Sequence, residues 1–198
     1  MYQDICIEIS LSNELNLLCS KGEIVYFKHS EKSQKLFDQL INPQGFSGKT
    51  FKVRGLDLNL ILEDLQAYRR KLSYLAEDEP KLISGLNLHE NIKLYSSSIK
   101  ALNFRDQTTQ LSSFKLNKTD FPVNLGPQER FYVQWLICML KAPQILLIEN
   151  PYLQIDPEAY KTFMFNLHQR MQRTTMTTLI SLQNLSLIEE FRGRLVQL

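Results

Sequence analysis

Read for period, the chain opens on short apolar runs. Ile5 to Ile9 and Leu15 to Leu18 have the length and composition of strands, and Glu23 to Phe27 (EIVYF) is a compact apolar run ahead of a charged loop. Leu36, Phe37, Leu40 and Ile41 fall at i, i+1, i+4 and i+5, the stripe of one helix, which Asn42-Pro43-Gln44-Gly45 then ends. From Ser47-Gly48 to Gly55-Leu56-Asp57-Leu58, residues alternate between two glycine-marked ends, which predicts a small antiparallel piece. Leu60 to Tyr68 reads as a helix, Lys71 to Ala76 as a strand and Glu77 to Pro80 as a polar turn. Up to about Val123 the pattern is less regular, with polar tracts at Ser96-Ser97-Ser98 and Thr108-Thr109-Gln110.

The signal sharpens from Gly126: a long helix through Leu140, the turn Lys141-Ala142-Pro143, a buried-strand run from Ile145 to Ile148, then Glu149-Asn150-Pro151. A helix from about Pro157 to Arg173 starts with Asp156 as its cap and proline in its first turn. Thr177 to Leu182 is β-rich, Ser186 to Phe191 a short helix and Arg194 to Leu198 a last strand. Strands alternating with helices imply an α/β domain with a mostly parallel sheet covered on both faces. No internal repeat is visible.

Composition narrows this further. A chain of 198 residues suits one α/β domain with room for an inserted subdomain. Its net charge of +2, from 23 basic and 21 acidic residues, is mixed along the chain without a polybasic run, so nucleic acid is not an expected partner. Cys6, Cys19 and Cys138 are odd in number and share no CxxC spacing, so neither a disulfide framework nor a metal site is expected, and a reducing compartment fits. The first residues offer no leader pattern, and the longest apolar stretch, Trp135 to Leu140, is far short of the roughly 20 residues that span a bilayer. A cytoplasmic location is the expectation. Only 7 glycines occur in the chain, about half of average usage, whereas phosphate loops use glycine for close backbone approach.

Seven segments, in order, resemble the ATP-binding-cassette (ABC) family of transporter nucleotide-binding domains. Lys21-Gly22-Glu23-Ile24-Val25 is similar to its KGEIV approach to the phosphate loop, and Ser47-Gly48 to Leu58 to its SGxhxhxGxDh hairpin. Arg69 to Tyr74 followed by Glu77 to Pro80 resembles its RRxIGYVxQDP, and Leu86-Asn87-Leu88-His89-Glu90-Asn91-Ile92 its GLTVxENI. Leu125-Gly126-Pro127-Gln128-Glu129 stands at its LSGGQ signature. Ile145 to Pro151 stands at its Walker B strand with DEP, and Ile155-Asp156 with Ser181 to Asn184 at its LD pair and switch histidine. The resemblance implies a P-loop NTPase-like (RecA-like) fold with a mostly parallel sheet, an antiparallel β subdomain and a small helical subdomain. Residues 1–198 are expected to form one domain, with the helical subdomain inserted at about 84–136.

The resemblance also assigns roles, and the residues depart from them. In GxxxxGK[ST], backbone N–H groups wrap the β-phosphate, a lysine adds charge and a hydroxyl meets Mg²⁺. Aligned without a gap, the loop is His29 to Leu36: Lys35 keeps the lysine, both glycines are missing and Leu36 replaces the hydroxyl. A loop shortened by three residues matches Lys32-Ser33 to the Lys-Ser pair instead, and is too short to encircle a phosphate. Glu149 keeps a carboxylate at the magnesium position, Asn150 replaces the catalytic glutamate and cannot accept a proton, and Gln183 replaces the switch histidine. Glu77 stands at the γ-phosphate-sensing glutamine. Pro127 and Gln128 remove an N–H and add bulk where the signature approaches phosphate. Asp156 keeps the dimer-contacting aspartate, and an N-cap explains it equally well.

Both halves of a head-to-tail nucleotide sandwich are therefore altered. The expectation is a catalytically impaired subunit of a transporter or membrane-associated complex, with a structural or regulatory role. ATP and Mg²⁺ are its only expected cofactors if any nucleotide binds. Its partner would be a permease-type membrane protein, docked by a cytoplasmic coupling helix in a groove bearing Glu77, Asp78, Glu79, Leu82 and Leu86. A homodimer, or a heterodimer with another ABC ATPase, is a further expected assembly, and the placement is peripheral on the cytoplasmic face of the membrane. Two alternatives stand beside it: an ATP-hydrolysing subunit with non-standard motifs, and a soluble interaction module.

Overall fold

The computed structural model describes residues 5–10, 16–96, 111–112, 114–151, 155–188 and 191–198. Nine strands and six named helices lie within them, in the order β1 (Ile5–Ser10), β2 (Asn16–Ser20), β3 (Ile24–Lys28), α1 (Glu31–Ile41), β4 (Thr50–Val53), β5 (Leu56–Asp57), α2 (Leu58–Glu63), α3 (Leu65–Arg70), β6 (Leu72–Leu75) and α4 (Leu88–Ser96). They continue with α5 (Pro127–Leu140), β7 (Ile145–Glu149), α6 (Pro157–Met171), β8 (Thr177–Leu182) and β9 (Arg194–Val196). Short 3₁₀ turns occur at Pro43–Gly45, Pro122–Asn124 and Leu185–Ile188.

The strands form two sheets. One is antiparallel, in the order β2-β1-β4-β5, and the other parallel, in the order β6-β7-β8-β3-β9. The central strands of the parallel sheet are buried on both faces, which is why they read as unbroken apolar runs. Along them, side chains alternate between two cores. Tyr26, Leu146, Ile148 and Ile180 pack with Phe131, Trp135, Tyr160 and Phe163 of α5 and α6. Val25, Phe27, Leu147 and Leu179 pack on the other side with Leu36, Phe37 and Leu40 of α1 and with Ile7, Ile9 and Leu17 of the antiparallel sheet. A third core joins Leu88 and Ile92 of α4, with Leu111, Leu116 and Leu125, to Val133, Leu136 and Ile137 of α5.

Several boundaries differ from the sequence reading. Helix α1 begins at Glu31, five residues before its first apolar stripe residue, because Ser30 caps it and its first two turns present mostly exposed polar side chains. The predicted helix from Leu60 to Tyr68 is two helices: Asp64 leaves helical geometry (φ −132°, ψ 67°) and its carboxylate caps α3 by accepting from Ala67 N–H at 2.9 Å. Helix α6 ends at Met171 and the last strand at Val196. Ser186 to Ile188 is a 3₁₀ turn, and Glu189 and Glu190 lie outside the described residues, as do Leu15, Ser97, Ser98 and Thr108 to Gln110. Inside the region read as irregular, α4 is a true helix, opened by a reciprocal pair in which Asn87 N–H donates to Glu90 Oε2 at 2.8 Å and Glu90 N–H to Asn87 Oδ1 at 2.9 Å.

The scarcity of glycine makes the remaining ones informative. A Cβ on Gly193 would sit 2.2 Å from the ring of fully buried Tyr26 and 3.1 Å from the Ile24 carbonyl oxygen, so β9 approaches β3 there only without a side chain. Gly45 has open space around the same position. Gly193→Ala should lower stability by about 1–3 kcal/mol through overpacking, whereas Gly45→Ala should stay within roughly 0.5 kcal/mol. Urea denaturation midpoints of the two variants at unchanged slope check this.

Candidate functional site

The carboxyl ends of β3, β7 and β8 meet at one edge of the parallel sheet, where open α/β folds place ligands. The connection from β3 to α1 consists of His29 and Ser30 alone. The eight-residue loop of the gapless alignment does not exist, since its residues 31–36 are helix. Lys35 is exposed on the second turn of α1 and Leu36 is buried in the core, while Lys32 and Ser33 occupy the first turn.

In the first turn of α1 the Ser33 N–H already has an acceptor, and the cap is reciprocal. Ser33 N–H donates to Ser30 Oγ at 3.3 Å, Ser30 N–H donates to Ser33 Oγ at 2.9 Å, and the Ser33 hydroxyl donates to the Ser30 carbonyl at 2.9 Å. Ser33 is fully buried by this arrangement. Glu31 adds a carboxylate to the first turn, which offsets the positive end of the helix. His29 extends the strand ladder by donating its N–H to the Leu182 carbonyl at 2.8 Å, and its ring lies 3.3 Å from Ser181 Oγ and 3.4 Å from Gln34 Nε2.

At the end of β7, Glu149 is half-buried and accepts a hydrogen bond from the Tyr74 hydroxyl. Burial first, and this carboxylate second, hold the Tyr74 phenol well above its usual range. The hydrogen-bond partner of Glu149 is thus a phenol. Asn150 is almost fully buried and left-handed at φ +40°, a region asparagine tolerates better than most residues. Its N–H donates to the Ser181 carbonyl at 2.9 Å, and its Oδ1 accepts from Gln183 N–H at 3.4 Å. Asn150 therefore cross-links the ends of β7 and β8, while the Gln183 side chain stays exposed.

The signature segment is likewise closed on itself. Gly126 caps α5, Pro127 fills its first position, and the Glu129 carboxylate accepts the Gly126 N–H at 2.9 Å. Leu125 is buried, and Gln128 is half-buried. Asp156 caps α6, its Oδ1 accepting from Ala159 N–H at 2.8 Å.

Away from this edge, the turn after β6 is pinned to α5. The buried Gln134 amide donates to the carbonyls of Glu77 and Pro80, each at 3.3 Å. Asn91, fully buried, donates from Nδ2 to the carbonyls of Ile83, Leu86 and Asn87 and accepts from Ile83 N–H at 2.8 Å. These two side chains shape an open groove of about 390 Å³, whose lining includes Asp78, Glu79, Leu82, Val123 and Arg130. Of the residues the sequence suggested for such a groove, Glu77 and Leu86 are not in the lining: Glu77 projects into solvent and Leu86 is half-buried behind it. Val123, 65% exposed, and Arg130 were missed, because they come from a segment about 40 residues further on.

The cysteines contribute nothing nucleophilic: all three are buried, and burial pushes the Cys19 and Cys138 thiols up to about 12. Among the described residues, no helix is long and apolar enough to cross a membrane.

No protein-family model matches the chain, and no curated protein matches it. Solved structures do. An ATP-binding subunit of an ABC transporter superposes with a TM-score of 0.80 at 17% identity, over 99% of this chain and 84% of the other. CbiO1 from Clostridium perfringens, part of the cbiONQ ABC transporter complex, superposes with a TM-score of 0.74 at 13% identity, over 92% and 80%. An ATP-binding cassette in a dimeric post-hydrolysis state, bound to ADP and Pi, gives 0.75 at 17% identity, over 99% and 92%. The two sheets, their order and the near-complete overlap make this chain a domain with the α/β fold of ABC transporter ATP-binding subunits.

Proposed function

We propose that the chain is a noncatalytic cassette subunit, a pseudo-ATPase that serves a membrane transporter or membrane-associated complex through its surfaces. The observation that carries this reading is the two-residue connection between β3 and α1, whose helix N-terminus is filled by Ser30, Ser33 and Glu31. A phosphate there would compete with a built-in cap and approach a carboxylate of like charge. The Gly126 N–H, already committed to Glu129, supports the same reading for the signature side, and so does the use of Asn150 as a cross-link between strands. Calorimetry with MgATP should find no binding tighter than about 1 mM; a micromolar dissociation constant would reject the proposal.

Restoring the missing glutamate should not help. Asn150→Glu places a longer carboxylate at a buried, left-handed position next to Glu149 and removes the acceptor for Gln183 N–H. It should lower stability by about 1–3 kcal/mol and give no ATP turnover above the parent chain. Thermal melts alongside a phosphate-release assay test both parts.

The residues 1–198 act in this reading as one cassette domain, with a helical subdomain at about 84–136 whose separate core of Leu88, Ile92, Leu116 and Leu136 supports that division. Its groove, where Asp78 and Glu79 stand with Lys81 and Arg130 around Leu82 and Val123, takes an amphipathic helix from a permease-type partner whose basic side chains meet the two carboxylates, holding the chain on the cytoplasmic face of the membrane. That one neighbour belongs to a transporter complex supports a membrane partner. Charge sets encounter rate, and buried apolar anchors set lifetime. Asp78→Lys with Glu79→Lys should therefore slow association in a salt-sensitive way, while Val123→Ala should raise the off-rate with little salt dependence. Co-purification with the membrane partner, followed by binding kinetics at low and high salt, checks this; full binding by all folded variants places the interface elsewhere.

A further inference from the structure

A second cavity, of about 440 Å³, lies between α5 and α6. The groove described above mixes Asp78 and Glu79 with Lys81 and Arg130, whereas the charged side chains among the described lining residues here are all cations. Helix α6 and the turn after it contribute Asn166, Gln169, Arg170 and Arg173, at i, i+3, i+4 and i+7, so one helical face presents two amides and two guanidiniums. Thr174 adds a hydroxyl, which donates to the Arg170 carbonyl at 3.3 Å, and no carboxylate stands among the described lining residues. The opposing wall is apolar, built from Trp135 and Leu136 of α5 and from Phe114, which stacks on Tyr132 with ring centroids 4.2 Å apart.

The two guanidiniums, like the other polar side chains of the lining, are exposed, and the fold makes little use of them. Arg170 donates one bond, from a terminal guanidinium nitrogen to the Met139 carbonyl at 3.3 Å, which ties α6 to the last turn of α5. Among the described residues neither guanidinium has a carboxylate partner, and Arg173 makes no side-chain hydrogen bond. Burial pulls the pKa of Arg170 below the usual guanidinium value. Cations near a helix C-terminus are favoured by its dipole. That accounts for their sign and leaves unexplained the concave shape and the aromatic wall that faces them.

We propose that this cavity binds a small organic anion: a carboxylate, sulfonate or phosphate ester carried on an aromatic or apolar body. The anion would lie against Arg170 and Arg173, where charge-assisted bonds are strongest, and the body against Phe114 and the exposed edge of Trp135. The volume lies within the range of small-ligand sites, roughly 300–1,000 Å³, and the lining follows their pattern of an apolar wall with a few convergent polar groups. The site is separate from the edge of the sheet where a nucleotide would bind, and the proposal stands or falls independently of the pseudo-ATPase reading.

The chain carries its own reporter, because Trp135 is the single tryptophan and lines the cavity. The probe is 4-nitrophenyl phosphate, an aromatic dianion whose ring quenches indole emission, titrated into the full chain with absorbance corrected against free N-acetyltryptophanamide. The uncharged 4-nitrobenzyl alcohol serves as the control for the ring alone. Saturable quenching by the phosphate is expected, weakened at least about tenfold by Arg173→Gln, as loss of a charge-assisted bond implies. The double variant Arg170→Gln with Arg173→Gln should abolish saturation, with circular dichroism and melting temperature confirming the fold. Arg173→Gln carries the test even if loss of the Met139 contact disturbs the double variant. Three results would overturn the proposal: quenching that does not saturate, an affinity unchanged within twofold in Arg173→Gln, or an equal titration by the neutral alcohol.

Discussion

The first turn of an α-helix leaves backbone N–H groups without intrahelical acceptors, and how they are satisfied decides what the N-terminus of each helix is free to do. At four helices of this chain nearby side chains take up an N–H of the first turn or of the cap residue. Ser30 and Ser33 close α1, Asn87 and Glu90 close α4, Glu129 closes onto Gly126 at the start of α5, and Asp156 caps α6. Each cap contributes about 1 kcal/mol to folding. The two ends that would face phosphate in a nucleotide sandwich are among them. A site that binds phosphate through helix amides needs those amides open when the ligand is absent, so the same groups do not readily serve both purposes.

The polar links at the edge of the sheet extend this logic. With three strands buried on both faces, the positions of their ends are fixed by the cores on either side, and the side chains at those ends must find partners at close range. His29 reaches Ser181, Asn150 reaches the backbone of Ser181 and Gln183, and Tyr74 reaches Glu149. The edge is thus knitted from short-range polar links, in which Asn150 uses its N–H and Oδ1 and leaves its buried Nδ2 without a partner among the described residues.

The order of strands and helices was legible because burial on both faces leaves continuous apolar runs, as in Ile145 to Ile148, and because Asp156-Pro157 and Gly126-Pro127 mark helix starts with residues of fixed geometry. The start of α1 was not, since Glu31 to Gln34 reads as a charged loop when the only visible signal, the stripe from Leu36, begins later; Ser30 and Ser33 are a cap with serine in place of the usual Glu or Gln three residues on. Asn150 stood out in the sequence only by its place in the resemblance, and its left-handed backbone and cross-strand role depend on where Ser181 lies. The acidic lip of the groove could be read from Asp78 and Glu79, but not its far wall of Val123 and Arg130. The arginine-lined cavity joins Phe114, Trp135 and the end of α6, segments that only tertiary packing brings together.

Helix α5 separates the two cavities, and the way it is held bears on whether they communicate. Arg130 and Gln134 face the groove of mixed charge, whereas Trp135 and Leu136 line the basic cavity. Its N-terminus is closed by Glu129, and Gln134 ties its middle to the turn at Glu77 and Pro80. Its last turns accept from Ser73 and Arg170 at the carbonyls of Cys138 and Met139. From Val133 to Leu140 every residue is buried, with apolar neighbours above and below. Coupling between two sites requires an intervening element with two arrangements of similar energy, each preferred by a different ligand state. Sliding α5 would break bonds at both ends and in the middle, and it would unseat Phe131 and Trp135 from their edge-on contacts with Phe163 at 5.0 and 4.8 Å. The physical expectation is that α5 is a fixed wall, so that whatever fills the basic cavity acts through its own contacts and leaves the groove's affinity for a partner helix unchanged.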